Sequence, residues 1–189
     1  MLNENKSKRL VAFVGPSGSG KDTLMVKVRD LLLSSGIDIH IVQRMITRKP
    51  DSTEGFLTLS ADDFIKKIEN KHFVLHWDIY GNKYGIPHEE IDPYLESGYI
   101  VLVNLSRTAL TKLKQIYPKA KIVVIHVSKE LAAERIKIRK RDTGKNLEAR
   151  ISRLQEKVDV PFPDLIIKNE GEINLSLQVL EEFLRVLSY

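Results

Sequence analysis

The sequence predicts an α/β fold in which a parallel central sheet is covered by helices on both faces. Short apolar runs suited to buried strands alternate with segments of helical apolar spacing. A glycine-rich turn, Gly15 to Gly20, joins the first strand to the first helix. The chain is 189 residues long, 42% hydrophobic and 29% charged, a composition that supports a buried core in a single domain.

Each element follows from its local pattern. Leu10 to Val14 is apolar at every position and is followed by glycines, as a strand buried on both faces would be. Lys21 to Leu33 has helical spacing and stops at Ser34-Ser35-Gly36. Asp38 to Gln43 predicts a second strand. Arg44 to Gly55 is polar, contains proline and glycine, and predicts a loop. Phe56 to Leu59 predicts a short strand, and Ser60-Ala-Asp-Asp63 has the form of a capping box opening a helix to about Asn70. Phe73 to Trp77 and Lys83 to Ile86 flank Gly81-Asn82, a turn signal for an antiparallel pair. Alternation then resumes with a strand over Tyr99 to Val103, a helix over Arg107 to Ile116, a strand over Lys121 to Val127 and a helix over Glu130 to Lys140. A polar break at Arg141 to Asn146 precedes a helix over Leu147 to Val158, a strand over Leu165 to Ile167 and a helix over Leu175 to Leu187. Residues 44 to 90 therefore interrupt the alternation as an inserted substructure.

Composition excludes several chemistries. With no cysteine, disulfides, thiolate zinc sites and cysteine nucleophiles are ruled out. No stretch approaches the roughly 18 to 20 apolar residues that span a bilayer. Met1 to Arg9 lacks the apolar segment of a secretory signal, and the expected location is the cytoplasm. The five histidines show no metal-ligand spacing. Net charge is +5, and its distribution is uneven. Lys129 to Arg153 holds nine Lys/Arg and four Asp/Glu, while the rest of the chain has 21 of each. A nucleic-acid coat would spread such an excess and interleave it with aromatics; here the partner predicted is small, anionic and local. The expected assembly is a monomer or a homodimer.

Gly15-Pro16-Ser17-Gly18-Ser19-Gly20-Lys21 lies between a strand and a helix, the context of a phosphate-binding loop. Glycines let the backbone wind closely around phosphates with its N–H groups inward. Lys21 can reach β- and γ-phosphates. Asp22 stands where Ser or Thr normally offers a hydroxyl to Mg²⁺, ahead of Thr23. Two roles are open to it: a hard oxygen ligand for magnesium, or a charge favoured by the helix N-terminus.

The loop, followed by Ile46-Thr47-Arg48, Trp77 and Lys83-Tyr84-Gly85, resembles the guanylate-kinase-like branch of phosphate-loop kinases over nearly the whole chain. The resemblance implies a phosphate-loop NTPase fold forming one kinase domain over 1–189. Its core would be 8–43 and 98–189, its acceptor-binding insertion about 44–90 and its lid about 135–150. Several guanylate kinase features are absent. The motif Thr-Thr-Arg-x-x-Arg becomes Ile46 to Asp51, a base-reading glutamate becomes His76, a Ser/Thr becomes Ile86, and the acidic strand end becomes Val101-Leu-Val-Asn104. At these same positions the chain is similar to the ribose 1,5-bisphosphate phosphokinases of phosphonate catabolism. They share the loop through Asp22, Arg44-Met-Ile-Thr-Arg48, and Val101 to Arg107.

That resemblance implies ATP as phosphoryl donor, Mg²⁺ as cofactor and a phosphorylated sugar as acceptor. Arg44, Arg48 and Arg107 would give planar, bidentate phosphate contacts, joined by the Tyr84 hydroxyl, His76 and Arg153. Arg135, Arg139 and Arg141 would be lid arginines closing over the moving phosphoryl group. Asn169 would lie near adenine. Two other readings remain at this point: a nucleoside-monophosphate kinase close to guanylate kinase, and a non-catalytic binding module of the same fold. GMP phosphorylation separates out the first, and ATP binding the second.

Overall fold

The computed structural model describes residues 6–47, 56–79, 81–138, 152, 154 and 160–188. Among them, five strands form a parallel sheet in the order β2 (Ile39–Ile41), β7 (Ile100–Asn104), β1 (Leu10–Val14), β8 (Lys121–His126) and β9 (Leu165–Lys168). All five residues of β1 are at 0% exposure. Its side chains divide by the two-residue period of a strand. Leu10, Ala12 and Val14 enter one apolar cluster; Val11 and Phe13 enter the other. The second cluster is closed by α1 (Lys21–Leu33) and α6 (Ile173–Leu187) through Leu24, Val28, Leu177 and Leu180. The first is closed by Leu95 of α3 (Asp92–Glu96) and by Leu110 and Leu113 of α4 (Leu110–Ile116).

A second sheet has the order β4 (Phe56–Thr58), β3 (Arg44–Ile46), β6 (Asn82–Pro87) and β5 (Phe73–Ile79). The stretch expected to be all loop thus begins with a strand. Three residues cannot display a period; β3 exists because Met45 and Ile46 pair antiparallel with Gly85 and Tyr84, far along the chain. On one face of this sheet α2 (Ala61–Glu69) packs Phe64 against Met45 and Phe73. Its start is the expected cap: Ser60 Oγ accepts from the Asp63 N–H at 3.0 Å. The opposite face sends Leu75, Trp77 and Ile86 into the first cluster of the main sheet, so the two sheets share a core.

Glu90 clasps the base of the second sheet. Its Oε2 accepts the Gln43 N–H at 2.7 Å, where the chain leaves for β3, and meets His40 Nε2 at 2.9 Å. The His40 ring stacks on Tyr94 at 3.5 Å. Burial opposes ionisation of Glu90, but these hydrogen bonds hold its carboxyl below the usual range. Both connections of the inserted sheet are therefore fastened by one side chain.

Candidate active site

The phosphate loop leaves the carboxyl end of β1, the edge at which open α/β sheets bind ligands. Gly18 and Gly20 have φ of 79° and 88°, a region that residues with a Cβ rarely adopt. Gly20 is also held to glycine by contact, since a Cβ there would lie 2.5 Å from Asn169 Nδ2. The turn is braced by the Ser19 N–H donating to the Pro16 carbonyl at 3.2 Å. Lys21 opens α1, and its Nζ donates to the carbonyls of Gly15 and Pro16 at 2.9 and 3.0 Å and to Ser19 Oγ at 3.3 Å. The ammonium is thereby kept against the loop, where phosphate oxygens would compete for its hydrogens.

The loop is fastened from behind by Asn169, which follows β9. The structure places this residue beneath the loop. Asn169 is 4% exposed. Its Nδ2 donates to the Ser19 carbonyl at 2.8 Å, and its Oδ1 accepts from Ser176 Oγ at 3.3 Å. Its backbone N–H bonds the His126 carbonyl at 2.9 Å. Arg135, on α5 (Lys129–Ile138), donates to the carbonyls of Asn169 at 3.1 Å and Gly18 at 3.5 Å. The Arg135 guanidinium thus ties α5 to the loop backbone. The sequence held no signal for Ser176, a serine on the buried face of an amphipathic helix.

At the other side of the loop, Asn104 Nδ2 donates to Asp22 Oδ1 at 2.6 Å. Asn104 ends β7, in register with Phe13 of β1. Magnesium takes hard oxygen ligands, often one or two carboxylates together with phosphates. Asp22 offers such an oxygen one residue from Lys21, so the donor set fits the ion. Thr23 is exposed.

Strand pairing sorts the expected acceptor residues by face. Tyr84 lies opposite both Ile46 and Trp77, and the alternation of β3 puts Arg44 on the same face as Ile46. Trp77 is 8% exposed and stacks on Tyr84 with ring centroids 5.5 Å apart. Arg44 and Tyr84 thus share a face. His76 pairs with Gly85 and belongs to the opposite face, so the fold does not bring it into this group. Burial lowers its imidazole pKa, with Lys112 and Lys83 adding to the effect and Asp78 opposing it. Arg107 sits in a 3-10 turn after β7, Arg107–Ala109, that packs against β5. Arg48, Arg139, Arg141 and Arg153 lie outside the described residues, as do positions 139–150 of the expected lid and most of the helix expected over 147–158.

Comparison with known proteins agrees with this geometry. A family model described as guanylate kinase matches residues 7–187. The ribose 1,5-bisphosphate phosphokinase PhnN of Brucella melitensis is 36% identical over 172 residues, covering 88% of this chain and 86% of that protein. The protein of the same name from Bradyrhizobium diazoefficiens is 34% identical over 180 residues, covering 94% and 88%. That from Desulfomicrobium baculatum is 38% identical over 167 residues, covering 87% and 88%. Among solved structures, guanylate kinase from Anaplasma phagocytophilum superposes with a TM-score of 0.65 at 18% identity, covering 94% of this chain and 84% of that one. The loop, its neighbouring strand ends and the inserted sheet are those of a guanylate-kinase-like fold, and the chain belongs to the guanylate kinase family, within its ribose 1,5-bisphosphate phosphokinase group.

Proposed function

We propose that this chain transfers the γ-phosphoryl group of ATP to the 1-phosphate of ribose 1,5-bisphosphate, giving 5-phospho-α-D-ribose 1-diphosphate and ADP. The observation that carries this reading is a phosphate loop with its lysine, joined to an inserted sheet that has Arg44 and Tyr84 on one face and, at the two base-reading positions among the described residues, His76 and Ile86. Ile86, at the position of a hydroxyl in guanylate kinases, is fully buried, and His76 is on the face away from Arg44 and Tyr84. A sugar bisphosphate offers two phosphates and no base, which suits arginines and a phenol.

The attacking atom is a phosphate oxygen, ionised at neutral pH, so no general base is needed. Positioning and charge neutralisation then carry the reaction. The loop backbone and Lys21 hold the donor phosphates, and Asn169 and Arg135 hold the loop. Arg44, Arg48, Arg107 and Arg153 bind the acceptor phosphates, with a hydrogen bond from the Tyr84 hydroxyl. Arg139 and Arg141 close over the transferring group and exclude water. Asp22 would hold Mg²⁺, which would supply neutralisation of negative charge on the donor phosphates.

The test is a coupled ADP-release assay across ribose 1,5-bisphosphate, ribose 5-phosphate, GMP and AMP. The expected result is a clear preference for ribose 1,5-bisphosphate, with phosphoribosyl diphosphate as product. Preference for GMP would overturn the acceptor assignment and leave the fold unaffected.

A further inference from the structure

Phosphate-loop NTPases hold magnesium with the loop Ser/Thr hydroxyl and an aspartate of the Walker-B strand. In this chain both positions have changed, and in opposite senses. The helix position carries a carboxylate, Asp22, and the end of the strand beside β1 carries an amide, Asn104. The two touch at 2.6 Å although 82 residues separate them. We infer that this pair is a reversed form of the usual arrangement, with the carboxylate moved from strand to helix and Asn104 acting as the positioning residue that aims it. The inference rests on the kinase reading above and extends it to the question of which side chain bears the site's negative charge.

Three physical points support the reversal. An acidic residue kept at 104 would put two carboxylates within hydrogen-bond distance, where like charges resist joint ionisation. An amide in its place keeps the pair at one negative charge, the same as a hydroxyl with an aspartate. The amide N–H also fixes Oδ1 of Asp22, while Oδ2 makes no hydrogen bond among the described residues. The carboxylate is therefore oriented and still has an oxygen to offer. It also stands in the first turn of α1, where the helix dipole favours negative charge.

The experiment measures binding, not turnover. Affinity for AMP-PNP is measured by titration calorimetry with and without MgCl₂, and the ratio of the two affinities is the readout. Wild type is compared with Asn104→Ala, Asp22→Asn and the exchange variant Asp22→Asn/Asn104→Asp, each checked for folding by thermal melt. Asp22→Asn is expected to lose most of the magnesium enhancement. Asn104→Ala should lose about ten-fold, the usual cost of removing an outer partner of a metal ligand. The exchange variant should recover most of the enhancement, since it restores a carboxylate–amide pair across the same gap. An Asp22→Asn protein with wild-type enhancement, or an exchange variant no better than Asp22→Asn, overturns the reversal. Full enhancement in Asn104→Ala removes the positioning role. A wild type that does not bind AMP-PNP at all overturns the kinase reading and this inference together, which distinguishes the two failures.

Discussion

Around the phosphate loop, the groups offered to phosphate are backbone N–H groups and one lysine, held by strands buried on both faces. In the second sheet the groups proposed for the acceptor are long side chains: Arg44 and Tyr84 are half-buried, whereas β1 is buried at every position. The loop is braced by the protein itself, since Asn169, Arg135 and Lys21 bond its carbonyls. The proposed acceptor side consists of side chains, which would lose rotamer freedom on binding. Damage to the loop should therefore strike turnover and ATP use, and damage to the sheet should strike acceptor use.

The largest effect expected is at Lys21. Lys21→Ala should reduce kcat by at least about 100-fold, in the range for removing one preorganised donor to transition-state charge, with little change in melting temperature. A folded variant with near wild-type turnover would break the kinase assignment. Asn169→Ala comes next. It leaves the buried Ser19 carbonyl without its partner, a loss of about 1 to 3 kcal/mol in stability, and should raise the KM for ATP more than that for the acceptor. An equal rise in both would mean general loosening and would erase the contrast between the two regions.

Gly85→Ala tests the other side. A Cβ there would lie 2.6 Å from the ring of Phe73, which is itself stacked on Phe64 at 4.6 Å. Overpacking of this kind costs about 1 to 3 kcal/mol, and here the acceptor KM should rise while ATP affinity holds. The smallest effect is at His76. Its pKa is lowered in the fold, first by burial, so below the ordinary value of 6.5 the unfolded chain takes up the proton more readily than the folded one. Stability from this residue is complete above that pH and declines as pH falls toward the folded value. His76→Gln should flatten that decline in denaturation curves recorded between about pH 5 and 7.5; an unchanged slope would contradict the assigned environment.

Much of this protein is legible from local pattern. Leu10 to Val14 reads as a buried strand, the glycines and Lys21 as a phosphate loop, and Ser60 as a helix start, because each depends on neighbours in sequence. The departures at Asp22 and Asn104 were also visible, though not their contact. What the tertiary structure decided depends on distant pairing. β3 is a strand only because β6 lies beside it. The separation of His76 from Tyr84 follows from the register of β5 on β6, which no single strand reveals. Asn169 and Ser176 become a brace for the loop only when β9 and α6 pack behind it. Short-range rules govern φ, ψ and periodicity; which polar atoms meet, and on which face, is set by packing between elements far apart in the chain.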